Sequence, residues 1–417
     1  MNKGLILLIL LSAAACGPKG DGVSNNGASN NGGSSNNGVS NNGTTPNNGT
    51  MQNNGTTAPN NGTTSGNNGT TTPMGLVWDK VVAPCPGSRT ASVLFLNDTR
   101  GLLGCGENAD GEGLFQTKDG GRTWTEIRDF ADLRVLDIRE YNGDVFVAGA
   151  DNLGGTRESV WKLDAEMKIA SALYTASNQI GSVQQAENIA IGEDGRAIID
   201  SLTGTGVAVR GPGEQNFVEV DTLSEMAIDG MARGFQMRRI DFLNNKIYAT
   251  GSLINDNPRV YLSSKKEGAT YHVTKVDLSN KDAEMLDLHV FNDSLMVVAG
   301  FSQQGTATNR SPLIFRGEGD LYDAANWSEV DVFGQGIEFA GGIRAISVAG
   351  TDILAVGEKF PTSKGGFALF SQDEGKTWTD ITPEDKIGPL SEAWLWNDGS
   401  AFIAGGQGLA FKVSGLK

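Results

Sequence analysis

The sequence has few of the residues on which most metal and acyl-transfer sites depend. Among 417 residues there are only two histidines and three cysteines. Two histidines leave little material for zinc ligation or for serine–histidine catalysis, so we expect no cofactor and no metal site. Positive charge is also scarce, with 33 Lys and Arg against 49 Asp and Glu and a net charge of -16. Because nucleic acids attract clustered Lys and Arg, the composition predicts no nucleic-acid partner.

The first residues have the pattern of an export signal. Lys3 precedes the apolar run of residues 4–11, and small residues then lead to Cys16. The run is too short to span a bilayer. A small-residue run that ends in cysteine resembles the bacterial lipoprotein signal, which implies a signal peptide over residues 1–16 and a lipidated Cys16. Gly17 in the next position favours the outer membrane, and the alternative is an ordinary secretory signal with an incidental cysteine.

Residues 17–74 are built almost entirely from Asn, Gly, Ser and Thr. The triplet Asn-Asn-Gly occurs eight times, and no charged residue lies between Asp21 and Asp79. Such a segment cannot bury enough apolar surface to offset its ordering entropy. We therefore predict a disordered tether with an end-to-end distance of roughly 40 Å, which holds a folded head away from the membrane.

From about residue 75 onward, a short apolar strand recurs seven times. Its copies begin at positions 101, 145, 196, 247, 295, 353 and 401, which are 44 to 58 residues apart. Each copy follows another apolar strand and a tight turn rich in Asn, Asp and Gly, and one or two more strands come after it. Four antiparallel strands repeated at this spacing are typical of a β-propeller. The sequence therefore predicts an all-β, seven-bladed β-propeller over residues 75–417.

The two ends of this region predict how the ring closes. The last copy ends at Lys417 after its third strand, so its blade lacks an outer strand. The segment from Val77 to Val82 has the form of that missing strand and precedes the first complete blade. An N-terminal outer strand that completes the C-terminal blade would remove an exposed sheet edge. The alternative is an open array of β-sandwiches.

Two turns between third and fourth strands carry the same pattern, Ser/Thr-x-Asp-x-Gly-x-Thr-Trp. A degraded copy covers residues 264–271. In such a turn the Asp accepts backbone hydrogen bonds, the Gly takes a conformation closed to other residues, and the Trp covers the space between strands. The matching positions are Thr117, Asp119, Gly121, Thr123, Trp124, Ser371, Asp373, Gly375, Thr377 and Trp378.

These turns resemble the Asp-box, or bacterial neuraminidase repeat. The resemblance extends to sialidases, to some glucan hydrolases, and to propellers of the photosystem II stability and assembly factor type. The last group implies an exported, often lipid-anchored scaffold with seven blades and no known chemistry. In the family the boxes lie on the face opposite the ligand site, so Asp119 and Asp373 are expected to be structural and no catalytic residue is predicted.

Charged residues near the starts of the innermost strands should approach the mouth of the ring. Arg89 and Glu187 are also close to it. A sialidase resemblance would make three such arginines a clamp for a carboxylate. The alternative is that the arginines pair with glutamates or are solvated. The candidate ligand-binding residues are Arg134, Arg238, Arg239, Arg344 and Glu392.

The chain lacks other features of sialidases. It has no Phe/Tyr-Arg-Ile-Pro motif, its last tyrosine is Tyr322, and the sialidase fold has six blades. Hydrolysis of a glycan by paired carboxylates stays possible, because an acidic propeller offers many pairs, but the sequence distinguishes none of them.

Three smaller features complete the expectations. Cys85 and Cys105 form an even pair in an exported domain, which predicts a disulfide, and the alternative is two buried thiols. The acidic residues Glu107–Glu112 offer oxygen ligands for calcium without a regular ligand spacing, so an ordinary solvated loop is favoured. His272 and His289 lie in different parts of the repeat and are expected to be structural.

Together these features predict a lipid-anchored protein of the bacterial cell envelope with a monomeric propeller head. Its function would be to bind or assemble an envelope protein or glycan, with no catalysis of its own. The competing hypothesis is a sialidase-like or other glycan-active hydrolase that uses the arginines of the mouth.

Overall fold

The computed structural model describes residues 75–417 except 107–112, 132, 152–156, 177–185, 201–206, 221–235, 245, 253–257, 268–269, 304–309, 338–339 and 362–364. The strands form seven four-stranded antiparallel sheets, each a blade of one β-propeller. The predicted fold class is therefore confirmed. The predicted lipidation site Cys16, the predicted tether and the acidic segment Glu107–Glu112 lie outside the described residues. No helix in the described part is long and apolar enough to cross a membrane.

The strands follow the chain in blade order. The described chain opens with β1 (Val77–Val82). Blade one comprises β2 (Thr90–Phe95), β3 (Gly101–Cys105), β4 (Gly113–Thr117) and β5 (Thr125–Glu126). Blade two comprises β6 (Leu133–Tyr141), β7 (Asp144–Asp151), β8 (Arg157–Leu163) and β9 (Ile169–Ala176). Blade three comprises β10 (Asn188–Ile191), β11 (Ala197–Asp200), β12 (Val207–Arg210) and β13 (Val218–Val220).

The remaining blades repeat the same order from the inside outward. Blade four comprises β14 (Gln236–Leu243), β15 (Lys246–Ser252), β16 (Arg259–Glu267) and β17 (Thr270–Asp277). Blade five comprises β18 (Ala283–Asn292), β19 (Leu295–Gln303), β20 (Arg310–Glu318) and β21 (Trp327–Glu329). Blade six comprises β22 (Gly341–Ala349), β23 (Asp352–Lys359), β24 (Gly366–Ser371) and β25 (Thr379–Asp380). Blade seven comprises β26 (Leu390–Leu395), β27 (Ala401–Gly405), β28 (Leu409–Ser414) and β1. Two short 3₁₀ helices span Arg128–Phe130 and Ala324–Asn326.

The ring closes as the two chain ends predict. Strand β1 pairs antiparallel with β28, from Val77 opposite Ser414 to Val82 opposite Leu409. The rings of Trp78 and Phe411 meet edge to face with their centroids 5.3 Å apart. The first ordered strand is thus the outer strand of the last blade, and no open array of sandwiches forms.

The second strand of each blade lies in the core because neighbouring blades cover both of its faces. In β19 every residue from Leu295 to Ser302 is buried, and Val297 and Val298 have no exposed surface. A strand buried on both faces needs a continuous apolar run instead of alternation. This requirement explains why the second strand gave the most regular repeat in the sequence.

Side-chain hydrogen bonds connect the innermost strand of one blade to that of another. Serine and aspartate oxygens of an inner strand accept from, or donate to, the backbone of the neighbouring inner strand. Because buried backbone groups must be paired, these bonds hold the blades in a fixed order around the axis. They join Ser92 to Ile138 at 3.1 Å, Asp137 to Ile189 at 3.0 Å, Asp287 to Ile346 at 2.8 Å, Ser347 to Leu395 at 2.9 Å, and Ser391 to Thr90 at 2.7 Å.

Candidate functional site

A cavity of about 400 Å³ lies on the axis of the ring, where the innermost strands begin. Residues from all seven inner strands line it, so every blade contributes to one concave site. The five residues that the sequence analysis placed at the mouth are brought together in its wall: Arg134, Arg238, Arg239, Arg344 and Glu392. Glu187, just before β10, lines the cavity as well.

Bulges explain why adjacent residues of one strand both reach this cavity. In six of the seven inner strands the pairing with the second strand skips one residue near the start. A bulge adds one unpaired residue and bends the strand, so it redirects that side chain. All six skipped residues line the cavity: Ala91, Leu136, Arg238, Leu286, Arg344 and Ser391.

A recurring glycine near the end of the second strand permits this arrangement. At four such glycines an added Cβ would lie 2.0 to 2.1 Å from a backbone oxygen of the inner strand or the residue before it. A side chain at these positions would push the inner strand away from its partner. The glycines and their facing oxygens are Gly149 with Arg134, Gly300 with Glu284, Gly357 with Gly342, and Gly405 with Pro389.

Two arginines of the cavity wall form ion pairs with glutamates of the protein. Nε of Arg344 donates to Oε1 of Glu358 at 3.0 Å, and Arg89 contacts Oε2 of the same carboxylate at 3.2 Å. Glu358 is only 2% exposed. Arg238 forms an ion pair with Glu284. These two arginines therefore pair with glutamates, which is the alternative to a sialidase-like clamp.

Arg239 spans the inner end of the cavity between two buried aspartates. Its Nε lies 3.2 Å from Oδ1 of Asp287, and its Nη1 lies 3.6 Å from Oδ1 of Asp137. Burial alone would lower the pKa of Arg239, but the carboxylates of Asp137, Asp287 and Glu392 outweigh it and raise that pKa. Arg139 contacts the other oxygen of Asp137 at 3.2 Å. The guanidinium of Arg239 thus neutralises buried carboxylates of the protein and is not free to bind an anionic ligand.

The blade-three side of the cavity contains two carboxyls whose pKa values are raised. Burial raises the pKa of Glu187 to about 7, against the favourable charges of Arg134 and Arg238. Burial also raises the pKa of Asp200 behind it to about 8, although Asn188 donates to one of its oxygens. Arg134 itself donates from Nε to the carbonyl oxygen of Gly106 at 2.7 Å.

Glu392 is the wall carboxyl with the fewest partners. Among the described residues it makes no hydrogen bond and no ion pair within 4 Å. Burial raises its pKa well above the usual value, with Asp287 and Asp137 adding to this effect and Arg239 opposing it. The neutral form of this carboxyl is therefore favoured more than in an exposed glutamate.

The arginines that the sequence predicts at the mouth line the cavity, but sequence reasoning missed the aspartates that hold Arg239. Asp137 and Asp287 occupy the same position of their blades, in the segments Val-Leu-Asp-Ile-Arg (135–139) and Met-Leu-Asp-Leu-His (285–289). Alignment of the inner strands would have revealed this repeated aspartate. The sequence gives no such sign of the bulge, apart from the recurring glycine near the end of the second strand.

The two eight-residue turns make the hydrogen bonds expected of structural turns. Oδ1 of Asp119 accepts from the backbone N of Thr123 at 2.9 Å, and Oδ2 accepts from its hydroxyl at 2.6 Å. These bonds hold the pKa of Asp119 at about 2, chiefly through the Thr123 hydroxyl. Asp373 accepts the equivalent pair from Thr377 at 2.8 and 2.7 Å.

These turns lie at the opposite end of the strands from the cavity, because the third strand runs away from the mouth. Their glycines, Gly121 and Gly375, have φ values of 88° and 82°. Trp124 packs against Phe402 of blade seven, and Trp378 packs beside Val297 of blade five. The tryptophans thus fill the space between neighbouring blades, not only the space between strands.

In the degraded third copy, strands β16 and β17 stay paired as far as Glu267 and Thr270. The two residues between them lie outside the described residues. The side chain of His272, in β17, lies outside the described residues. His289 in β18 packs edge to face on Phe291, with ring centroids 4.8 Å apart. No cluster of three or more His, Cys, Asp or Glu in the described ranges is arranged to hold a metal ion.

Cys85 and Cys105 form a disulfide next to the cavity wall. Cys105 pairs with Thr90, which lines the cavity, and both cysteines are completely buried. Trp394, in β26, and Trp396, just after it, lie with their ring centroids 6.2 and 4.7 Å from that of Phe95. These tryptophans pack between blades seven and one.

Comparison with known proteins supports the fold. No protein-family model matches the chain, and no curated protein matches it in sequence. Among solved structures, YCF48 bound to a D1 peptide has a TM-score of 0.54 and 15% identity, and the match covers 81% of this chain and 95% of that one. YCF48 from Cyanidioschyzon merolae has a TM-score of 0.56 and 14% identity, with 80% and 98% covered. A streptogramin B lyase has a TM-score of 0.57 and 13% identity, with 81% and 97% covered. At these identities the similarity concerns the propeller fold.

Proposed function

We propose that this protein is a binding or assembly scaffold that receives part of a protein or glycan partner in the axial cavity, without catalysis of its own. The observation that carries the proposal is the state of the wall arginines. Arg238, Arg239 and Arg344 are already engaged by protein carboxylates, so they shape and rigidify a concave site. A rigid pocket with a few placed polar groups is the usual form of a binding site.

One neighbouring structure supports a binding role, although another of similar fold is a lyase. The first of them is a propeller described as bound to a peptide. A peptide segment is a suitable occupant here as well, because the cavity combines charged walls with the apolar side chains of Leu136 and Leu286. We further assign the turns at Asp119 and Asp373 to the Asp-box type, as structural elements on the face away from the partner.

The proposed location is the bacterial cell envelope. In this proposal lipidated Cys16 anchors a monomeric head, most simply in the outer membrane, and residues 17–74 give it reach. Several acyl chains make such an attachment effectively permanent, since each buried methylene contributes about 0.8 kcal/mol. Metabolic labelling with a radioactive fatty acid tests the anchor, and a Cys16→Ser chain that is labelled equally would contradict it.

Filling the cavity tests the scaffold role. The full chain, carrying a photo-crosslinking group near the mouth, is used to capture partners from envelope extracts. Leu136→Trp places a large side chain in the cavity without removing a charge, and we expect it to abolish capture. Val218→Trp adds the same side chain at a residue that is 62% exposed on β13, and capture should persist. Equal capture by both variants would exclude the cavity as the binding site.

One observation favours a second candidate, a glycan-active hydrolase. Glu187 has a pKa of about 7 inside the cavity, and a carboxyl that is partly protonated near neutral pH is suited to general acid catalysis. Incubation with sialylated and polysaccharide substrates tests this alternative. Turnover by the full chain that is lost in Glu187→Gln and retained in Glu126→Gln, an exposed control in β5, would replace the scaffold proposal.

A further inference from the structure

In the group around Arg239, carboxyls outnumber guanidinium groups. Asp137, Asp287 and Glu392 supply three carboxyls, whereas Arg139 and Arg239 supply two guanidinium groups. Both guanidinium groups contact the aspartates, so Glu392 is the carboxyl left without an ion pair among the described residues. Glu392 is half-buried in the wall. A carboxylate that is partly withdrawn from water and has no counter-ion is costly, and this cost is what a cationic ligand would reduce.

The groups that surround Glu392 on other strands do not supply that counter-ion. Arg344 on the neighbouring blade is paired with Glu358, and Arg89, just before β2, contacts the same Glu358. Arg238 is paired with Glu284. These three arginines therefore already have carboxylate partners, and the remaining arginine of the wall, Arg134, donates to the carbonyl oxygen of Gly106.

The rest of the wall indicates the shape of the cation. Ala91, Leu136 and Leu286 are bulged residues that line the same cavity with apolar surface. Lysine side chains place their methylenes along apolar surface while the ammonium contacts a polar group. A small inorganic cation would leave this apolar wall unused, whereas a lysine side chain would cover it.

We propose that the cavity binds a lysine side chain of a partner peptide, with the carboxylate of Glu392 as its counter-ion. This inference rests on the proposed scaffold function and names the chemistry that the cavity recognises. The ammonium would lie near Glu392 and Asp287, and the stem would lie against the bulged apolar residues.

Binding should release a proton. Burial and the neighbouring aspartates raise the pKa of Glu392 against the opposing charges of Arg239 and Arg139, and a bound ammonium favours the ionised form instead. The affinity for lysine should therefore rise with pH until Glu392 is already ionised in the free protein. A ligand that used the wall arginines instead would be an anion and would show no such release at Glu392.

The test uses isothermal titration calorimetry of the full chain with acetyl-Gly-Gly-Lys-Gly-Gly-amide. Peptides with norleucine or glutamate in place of lysine are the controls for shape and charge. We expect the lysine peptide to bind at least about tenfold more tightly than either control. Titration in two buffers of different ionisation enthalpy should show release of a proton at neutral pH. Equal binding of the norleucine peptide, or tighter binding of the glutamate peptide, would overturn the proposal.

A matched pair of variants locates the counter-ion. Glu392→Gln keeps the volume of the side chain and should weaken lysine binding about tenfold and abolish the proton release. Glu126→Gln should change neither. Unaltered binding by Glu392→Gln would contradict the assignment, and the proton release of the unaltered chain remains a test if that variant fails to fold. If the unaltered chain captures a partner but does not bind the lysine peptide, lysine recognition alone is refuted. If it does neither, the scaffold function is refuted as well.

Discussion

Arg239 lies in the cavity wall, but its charge has a structural role, because it pairs with two buried aspartates. It lies between two aspartates that also accept backbone hydrogen bonds from neighbouring blades, Asp137 from Ile189 and Asp287 from Ile346. Removing one member of a buried charged group leaves the others without compensation. The same residue thus links the chemistry of the cavity to the stability of the ring.

Substitution of Arg239 by Met should therefore destabilise the fold. We expect Arg239→Met to lower the free energy of unfolding by about 3 to 5 kcal/mol, because buried Asp287 loses its ion pair and buried Asp137 keeps only Arg139. Urea unfolding monitored by tryptophan fluorescence measures the change. Arg122→Met is the matched control, since the ion pair of Arg122 with Asp79 is exposed and should contribute less than about 1 kcal/mol. Equal effects of the two substitutions would contradict a structural role for Arg239.

Glu187 predicts a dependence of stability on pH. Its pKa is about 7 in the folded chain against 4.5 for the ordinary group, so its contribution is fully present below about pH 4.5 and is lost as the pH rises through 7. The raised pKa of Asp200 also makes the fold less stable as the pH rises. The contribution of Glu187 is therefore measured as the difference between the unaltered chain and a Glu187 variant at each pH. At pH 8 we expect the free energy of unfolding of Glu187→Gln to exceed that of the unaltered chain by about 3 kcal/mol. At pH 4.5 the two free energies should differ little. Denaturant titrations at both pH values measure this, and a difference of equal size at each pH would exclude the raised pKa.

At the scale of the strand, the bulge and its facing glycine act as one unit. Gly405 is one of four glycines that allow an oxygen of the inner chain to approach within about 2 Å of where a Cβ would be, here the oxygen of Pro389. The bulged Ser391 follows directly and lines the cavity. The glycine therefore positions the wall of the site without touching the ligand.

Gly405→Ala should shift β26 and cost about 1 to 3 kcal/mol, the usual cost of overpacking. Gly406→Ala is the control, because a Cβ there would meet only the side chain of Arg89 at 3.5 Å, which is an ordinary contact. Thermal unfolding of both variants measures the difference. Partner capture should weaken for Gly405→Ala, whereas an unchanged melting temperature would show that the strand adapts to the methyl group without strain.

The strand scale also explains what the sequence predicted well. Runs such as residues 295–299 and 353–357 are apolar because both faces of a second strand are buried, and they repeat because each blade needs one. The number of blades follows directly from such runs. The pairing of Arg238 with Glu284, or of Arg89 with Glu358, joins residues 46 or 269 positions apart in different blades, and no local pattern records such a contact.

At the scale of the whole molecule, stability depends on the seam where the first and last blades meet. Strand β1 enters blade seven, and the chain then turns into blade one, with backbone N–H of Ala83 donating to Gly408 and that of Gly408 donating to Cys85. The disulfide attaches this connecting segment to β3 of blade one. Hydrogen bonds to blade seven and a covalent bond to blade one thus hold the same short segment.

Removal of the disulfide should loosen this seam. The bridge closes a loop with a sequence separation of 20, for which the chain-entropy model gives roughly 3 kcal/mol. We expect the double variant Cys85→Ser, Cys105→Ser to lose about this much free energy of unfolding, and a reductant to lower the stability of the unaltered chain by a similar amount. Hydrogen exchange should accelerate in residues 77–82 more than in β19, because strand β1 is attached through the connecting segment while β19 lies between intact blades. Uniform acceleration across all blades would show that the bridge stabilises the ring as a whole, and an unchanged unfolding midpoint in reductant would show that the seam is held by its hydrogen bonds alone.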